Sequence, residues 1–208
     1  MSEFINTIDV LGDDAVIDSI IQRTITEFKD NRINTVGAYA FYNCTALTEL
    51  DIPNAKIINE AAFEGCSSLK KIVLEKVTNL RNAFRYCTSL EIVDIHTSVG
   101  DIDKPYEMGL QAYTFSNNPS LKAVILRDPS KMCCMGHFYV FASTPVYPTW
   151  TGEGVGYIYV PKIMADGSDG VALYDSSSNW AHYAGKFRAI EDYTVDGTLW
   201  GELDPMKI

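Results

Sequence analysis

The sequence lacks several features that would assign it to a familiar class. No apolar run approaches the roughly 18 residues of a membrane span, which excludes an integral membrane protein. Positive charge is scarce: 17 Lys and Arg face 27 Asp and Glu, a net charge of −10 over 208 residues. Nucleic acid and anionic membranes are bound by Lys and Arg, so neither is expected as a partner. The first ten residues contain no basic segment followed by an apolar one, and no secretory signal is predicted.

Catalytic motifs are also missing. G-x-S-x-G, H-E-x-x-H and a phosphate loop do not occur. Gly152, Gly154 and Gly156 imitate part of a nucleotide-binding fingerprint, but they precede a predicted strand and therefore predict a hairpin-like turn. Asp101 and Asp103 would suit a glycan hydrolase only with a positioned partner, and a turn is the better interpretation. We predict that the protein is not an enzyme.

Metal ligands are few. Cys133, Cys134 and His137 form a single Cys/His cluster, whereas a structural zinc site usually takes two ligand pairs. The segment from Asp166 to Asp175 is rich in Asp, Ser and Gly, but its spacing does not match a calcium loop. We expect packing or a loose loop at the first segment and a solvated loop at the second, and no cofactor. Metal binding stays open as the alternative at both.

An internal repeat dominates the rest of the sequence. Four segments follow the pattern A-F-x-x-C-x-x-L and then a short alternating apolar run, and their phenylalanines are 22, 21 and 31 residues apart. These phenylalanines are Phe41, Phe63, Phe84 and Phe115. The fourth copy has Asn118 in place of the cysteine and follows an insertion near residues 98–108. One such unit cannot bury its own apolar face, so the copies are predicted to stack into a solenoid.

The repeat predicts what points inward in each coil. Alternation places Leu47, Leu50 and Ile52 on one side of a short strand, with Glu49 and Asp51 on the other. The same alternation holds in the later copies. Cysteine recurs once per coil, and because it packs as a small hydrophobe it predicts a buried thiol ladder. Five cysteines, an odd number, predict no disulfide scaffold. The ladder consists of Cys44, Cys66 and Cys87.

The pattern resembles the BspA-type leucine-rich repeat of bacterial surface proteins and bacteriophages. Three copies keep Ala, Phe, Cys and Leu in register, and Ile52-Pro53 keeps the family's proline. The ends resemble the phage-encoded members: a helix leading into R-T-I-T-E at 23–27, a last repeat at 141–161, and a closing N-W-x-x-Y-A segment from Asn179. The resemblance covers about residues 16–193.

The closing segment also carries a pattern of its own. Trp180, Tyr183, Ala184 and Phe187 are spaced i, i+3, i+4 and i+7, which predicts one face of a helix that covers the open end of the stack.

The resulting fold prediction is α/β: a short leucine-rich-repeat solenoid with a parallel sheet on one face. Residues 1–32 are predicted as an N-terminal helix-strand cap. Residues 33–161 are predicted as the solenoid of about five coils, one of which carries the insertion. Residues 162–208 are predicted as a C-terminal capping helix and tail.

The exposed face of the sheet is the predicted binding site. Its later half is apolar and aromatic, which suits a protein contact. The alternative is that the insertion or the C-terminal segment covers it. On the binding hypothesis, Ile125→Glu would weaken partner binding and leave folding nearly intact. The predicted binding residues are Glu49, Asp51, Lys71, Val73, Ile92, Asp94, Ile125, Tyr157 and Tyr159, with Ala123 in the same rows. The long coil and the loop at 147–150 are further contact candidates.

The family resemblance implies a non-enzymatic interaction protein of a bacteriophage virion, on the tail, fibre, neck or head surface. Its partner would be another virion protein, or a protein or glycan of the bacterial surface, and by analogy with phage appendages the chain could form a symmetric oligomer. The alternative hypothesis is an adhesin-like protein of the bacterial cell surface.

Overall fold

The computed structural model describes residues 23–100 and 109–192, together with the backbone of 194–195 and 198–199. The strands are short and mostly parallel. They are β1 Glu27–Lys29, β2 Thr35–Val36, β3 Glu49–Asp51, β4 Ile57–Ile58, β5 Lys71–Leu74, β6 Asn79–Leu80, β7 Ile92–Ile95, β8 Ala123–Leu126, β9 Tyr157–Val160, β10 Phe187–Ala189, β11 Thr194–Val195 and β12 Thr198–Leu199. Helix α1 is Gly170–Ser176, and 3₁₀ turns occupy Ala181–Tyr183 and Ile190–Asp192.

Each repeat contributes one strand to a parallel sheet. The main sheet has the order β10-β9-β8-β7-β5, and β1 pairs separately with β3. A second parallel sheet joins β2, β4 and β6, while β11 and β12 form an antiparallel pair. Strands from successive coils therefore lie side by side within each parallel sheet. This arrangement of mostly parallel strands with few helices is an α/β repeat fold.

A column of phenylalanine rings forms the centre of the core. Neighbouring rings in the column are nearly coplanar, with angles of 5° to 11°, and their centroids lie 4.9 to 5.7 Å apart. The column consists of Phe41, Phe63, Phe84, Phe115 and Phe141, all 0 or 1% exposed. Phe28 from β1 packs on the first ring at 4.7 Å, tilted by 58°. One phenylalanine from each coil thus connects the core along its length.

The predicted thiol ladder is confirmed, and it has a hydrogen-bonding role. The thiols of Cys66 and Cys87 each donate to the carbonyl of the phenylalanine one coil earlier, Phe41 and Phe63, at 3.2 Å. Burial raises the pKa of Cys87 to about 12. The ladder cysteines are free and buried, as predicted.

Asn118 replaces the cysteine without losing this bond. Its Nδ2 donates to the Phe84 carbonyl at 3.0 Å and to the Phe115 carbonyl at 3.0 Å. In the next coil Thr144 donates to the Phe141 carbonyl at 2.8 Å. A buried carbonyl that loses its donor is costly, so this position of the repeat requires a donor rather than a cysteine as such.

The closing segment differs from the predicted helix. Ala181–Tyr183 is a 3₁₀ turn, Gly185 adopts a left-handed φ of 83°, and Phe187 begins β10, which pairs in parallel with β9. The prediction of one helical face was wrong because the left-handed glycine ends the turn before the face is complete. Trp180, Tyr183 and Phe187 are nevertheless buried, as the spacing indicated, whereas Ala184 is exposed.

The helix of this region lies earlier in the chain. Residues 170–176 form α1, and its first turn is capped by Asp169, whose Oδ1 accepts from the Ala172 N–H at 2.9 Å. The predicted solvated loop from Asp166 to Asp175 is therefore a loop only at its start. No helix among the described residues is long and apolar enough to span a membrane.

The predicted N-terminal strand is displaced by a few residues. Pairing begins at Glu27 instead of Arg23, and Phe28 is the side chain that enters the core. The helix predicted before it and the insertion residues 101–108, including Asp101 and Asp103, lie outside the described residues.

Truncating one ring tests the column. Phe63→Ala should reduce the free energy of unfolding by about 3–5 kcal/mol, because it leaves a cavity between two stacked rings. Chemical denaturation would measure the change. The matched control is Phe138→Ala, at a ring that is 43% exposed, where a loss within about 1 kcal/mol is expected. Equal losses in both variants would contradict a central role for the column.

A second pair of variants tests the donor position. Asn118→Ala leaves the Phe84 carbonyl without this donor and should cost about 1–3 kcal/mol of unfolding free energy. Asn118→Cys restores the donor used in the two preceding coils and should cost less than Asn118→Ala. Urea titration of both variants checks the order, and a reversed order would show that volume rather than hydrogen bonding governs this position.

Candidate binding face on the parallel sheet

The strand register brings the predicted binding residues together in two rows. Lys71, Ile92, Ala123 and Tyr157 are direct neighbours in the first row. The second row runs through Val73, Asp94, Ile125 and Tyr159, and Arg188 of β10 extends it. Glu49 and Asp51 lie on β3, paired with Glu27 and Lys29 of β1. The rows themselves match the sequence prediction, while the exposure of their members differs along the sheet.

The middle of the face is buried. Asp94, Ala123 and Ile125 are completely inaccessible to solvent. Ala123 and Ile125 form a small apolar cluster against which Ile92, Tyr159 and Ile190 pack. Ile190 follows β10, so the chain beyond the edge strand of the main sheet contributes to the cover. This favours the alternative interpretation of the face over an open apolar contact.

Two predicted binding residues must therefore be corrected. Asp94 and Ile125 are not available to a partner in this structure. A carboxylate at position 125 would enter an apolar cluster beside Asp94, which is unfavourable for an unpaired charge. Ile125→Glu is thus expected to destabilise the fold, contrary to the expectation from sequence.

Arg127 explains how Asp94 can be buried in this face. Its guanidinium binds the carboxylate in a bidentate manner, Nε to Oδ1 at 2.7 Å and Nη2 to Oδ2 at 3.0 Å. The Nε2 atom of His96 lies 3.4 Å from Oδ1. Such a two-pronged pair is the geometry that best compensates a carboxylate removed from water. The sequence signal was an Asp in an otherwise apolar row with an Arg directly after the neighbouring strand.

The N-terminal half of the face remains accessible. A shallow groove opens between β3 and β5, which are adjacent but do not share a hydrogen-bonded ladder. Five of the nine predicted residues line it: Glu49, Asp51, Lys71, Val73 and Ile92. Lys29, Lys70, Glu75 and Glu91 lie along the same groove. Both signs of charge alternate there around two aliphatic side chains.

Several of the charges in this groove form ion pairs. Lys29 lies 2.9 Å from Glu49 and 3.1 Å from Glu27, and the hydrogen bonds that it donates to these two carboxylates raise the pKa of the lysine. Lys122 binds Glu91 at 2.8 Å. Because these pairs are exposed, each contributes little to stability. Their role in a contact would be orientation and selectivity.

Tyr157 and Tyr159 stand at the C-terminal end of the face and are half-buried. The Arg188 guanidinium covers the Tyr157 ring at 4.2 Å, and Lys186 lies 5.9 Å from the same ring. Burial, together with the nearby Arg188, lowers the pKa of Lys186. Burial raises the pKa of Tyr159. Both tyrosine side chains therefore already make contacts within the protein.

The two segments considered as metal sites have other structural roles. Cys133 and Cys134 are buried, and burial raises the pKa of Cys133 to about 12. Asp166 accepts from the Ser168 N–H at 2.9 Å and from its hydroxyl at 2.6 Å, which is a turn. No group of three His, Cys, Asp or Glu side chains within 23–100 and 109–192 could hold a metal ion.

The glycine-rich segment does not cradle a ligand of the dinucleotide type. It precedes β9, as predicted, but β9 pairs in parallel with β8, so the turn is not a hairpin. Trp150 folds over the segment, and its indole N–H donates to the Glu153 carbonyl at 3.0 Å.

Comparison with known families supports the repeat. The family model for the BspA-type leucine-rich repeat region matches residues 10–131 in six copies. The chain belongs to the BspA-type leucine-rich repeat family. No curated protein and no solved structure matches the chain significantly. The match concerns the family as a whole, and the Phe141 coil of this BspA-type protein lies beyond it.

The buried ion pair of Asp94 and Arg127 allows a test of charge compensation in this BspA-type repeat. Arg127→Met leaves the Asp94 carboxylate uncompensated and should reduce unfolding free energy by about 3–5 kcal/mol. The double variant Asp94→Leu with Arg127→Met removes both charges and should recover most of that loss. Thermal and urea unfolding of the three proteins would measure it. If the double variant is as unstable as the single one, packing of Arg127 rather than charge compensation is responsible.

Proposed function

We propose that this protein is a non-enzymatic interaction module built as a short solenoid. Leucine-rich repeat families generally serve as such modules. The observation that carries the proposal is the groove between β3 and β5, because it is the accessible part of a face whose strands are held in place by a continuous core. Binding residues on a rigid scaffold lose little conformational entropy when a partner docks.

The C-terminal segment supports the solenoid interpretation by closing one end of the stack. Tyr183 meets the last ring of the column, Phe141, edge-on at 5.7 Å and 89°. Its hydroxyl donates to the Phe138 carbonyl at 2.7 Å, and the Trp180 indole donates to the Cys133 carbonyl at 2.8 Å. These carbonyls belong to the last coil, so side chains here take the place of a further repeat.

The groove fits a polar protein surface better than other classes of ligand. Its alternating Lys and Glu or Asp side chains would orient a partner of complementary pattern, and Val73 and Ile92 add apolar area between them. Nucleic acid is disfavoured by the net charge of −10.

The proposed setting is a bacteriophage particle, where the module would bind another virion protein or the bacterial surface. The support is the resemblance of both chain ends to phage-encoded members of the family. A cell-surface adhesin-like role is the second candidate, because the family resemblance includes bacterial surface proteins.

The experiment is mass spectrometry of density-purified particles made by the phage or induced lysogen that encodes this chain. Detection at a copy number similar to that of known structural proteins is the expected result. Absence from clean particles, with the protein found on cells, would replace the virion proposal with the adhesin hypothesis.

A matched pair of variants tests the groove in the same particles. Asp51→Lys reverses a charge that lines the groove and should lower the copy number about tenfold if this contact contributes on the order of 1.4 kcal/mol. Asp166→Lys makes the same change in a distant exposed turn and should leave it unchanged. Equal incorporation of both folded variants would exclude the groove as the contact.

A further inference from the structure

A second surface lies on the turns that flank the phenylalanine column. It is an aromatic patch formed by Tyr86, Tyr113, Phe138, Tyr139, Tyr147 and His182. Phe138 and Tyr86 are each 43% exposed, Tyr113 40% and Tyr139 37%. None of these side chains belongs to the sheet face described above.

The rings of the aromatic patch form one continuous group. Tyr113 stacks on Tyr139 at 5.7 Å, and Tyr139 contacts Phe138 at 4.1 Å and Tyr147 at 6.5 Å. Tyr147 in turn contacts His182 at 5.2 Å. These residues come from separate coils and from the closing segment, so the stacking of the repeats assembles the patch.

The backbone offers no reason for tyrosine at one of these positions. Tyr86 adopts a left-handed φ angle of 58°. The equivalent positions of three other coils carry Asn43, Gly65 and Asn117, which tolerate this conformation better. A residue that departs from the local preference without adding to the core indicates a functional reason.

Arg85 gives the aromatic patch its charge. Its guanidinium lies 4.7 Å from the Tyr86 ring and 5.4 Å from the Tyr113 ring, and it donates to the Tyr86 hydroxyl at 3.1 Å. No carboxylate within the described part of the chain pairs with Arg85, and its buried Nε has no hydrogen-bond partner there. A guanidinium that has no carboxylate partner among the described residues, in a protein of net charge −10, favours an acidic ligand.

The geometry of the rings selects the kind of ligand. The faces of Tyr113 are covered by Arg85 and Tyr139, so the patch presents ring edges and hydroxyl groups. Ring edges carry partial positive charge and attract carbonyl and carboxylate oxygens. A sugar that stacks on aromatic residues needs a free ring face, which the central tyrosine does not offer.

We propose that the aromatic patch is a second binding surface, which takes an acidic peptide segment of a partner protein. A ligand carboxylate pairs with the Arg85 guanidinium, and neighbouring ligand atoms contact the edges and hydroxyls of Tyr113 and Tyr139. Tyrosine and arginine are the residues that contribute most to binding energy in protein interfaces. The proposal does not depend on the sheet groove or on the virion setting.

The experiment is selection from a yeast-displayed random peptide library on the purified full chain, followed by fluorescence anisotropy with the enriched peptides. Enrichment of sequences rich in Asp and Glu is expected, with binding that weakens as salt increases. Arg85→Gln and Tyr113→Ser should each weaken binding about tenfold or more. Circular dichroism and thermal unfolding check that each variant is folded. If one variant does not fold, the other alone is sufficient to test the proposal.

Tyr39→Ser is the matched control. Tyr39 has a left-handed φ of 59°, is 44% exposed and occupies the same repeat position as Tyr113, yet its ring partner is Tyr42. Its replacement should leave binding unchanged. Enrichment of neutral or basic peptides, no enrichment, equal loss in Tyr39→Ser, or binding to a glycan array in place of peptides would each overturn the proposal.

Discussion

The structure depends on the stacking of one phenylalanine per coil. Adjacent strands of a sheet lie about 4.8 Å apart, and the rings of the column follow at 4.9 to 5.7 Å. Because the sheet spacing and the ring spacing are nearly the same, hydrogen bonding and aromatic packing favour a single register. The groove on one side and the aromatic patch on the other inherit their geometry from that register.

The same constraint explains how a longer coil is accommodated. Phe84 and Phe115 are 31 residues apart in the chain, yet their centroids are 5.7 Å apart and their planes differ by 11°. Asn118, in this longer coil, also donates to the Phe84 carbonyl. The greater separation in sequence therefore leaves both the ring stacking and the hydrogen bond between these two coils unchanged.

Local regularity was predictable from the sequence, and contacts between distant segments were not. Alternation and repeat spacing predicted the strand rows and the cysteine ladder because those features recur in each coil. The burial of Asp94 depends on Arg127 from the next coil, and Ile190, which follows β10, packs against the cluster of Ile125. The repeat period predicts neither contact. The helix predicted for the closing segment does not form because Gly185 adopts a left-handed conformation. The spacing of its aromatic residues nevertheless correctly indicated that they are buried. The aromatic patch was not predicted because its members come from several positions of the repeat and from the closing segment.

The ladder of thiols has a chemical consequence. The reactive form of cysteine is the thiolate, and burial raises the pKa of Cys44 and Cys87 to about 12. At neutral pH these side chains hold almost no thiolate, and each is enclosed by the coils on either side. Although cysteines recur along the core, the ladder thiols of the folded protein should therefore react slowly with oxidants.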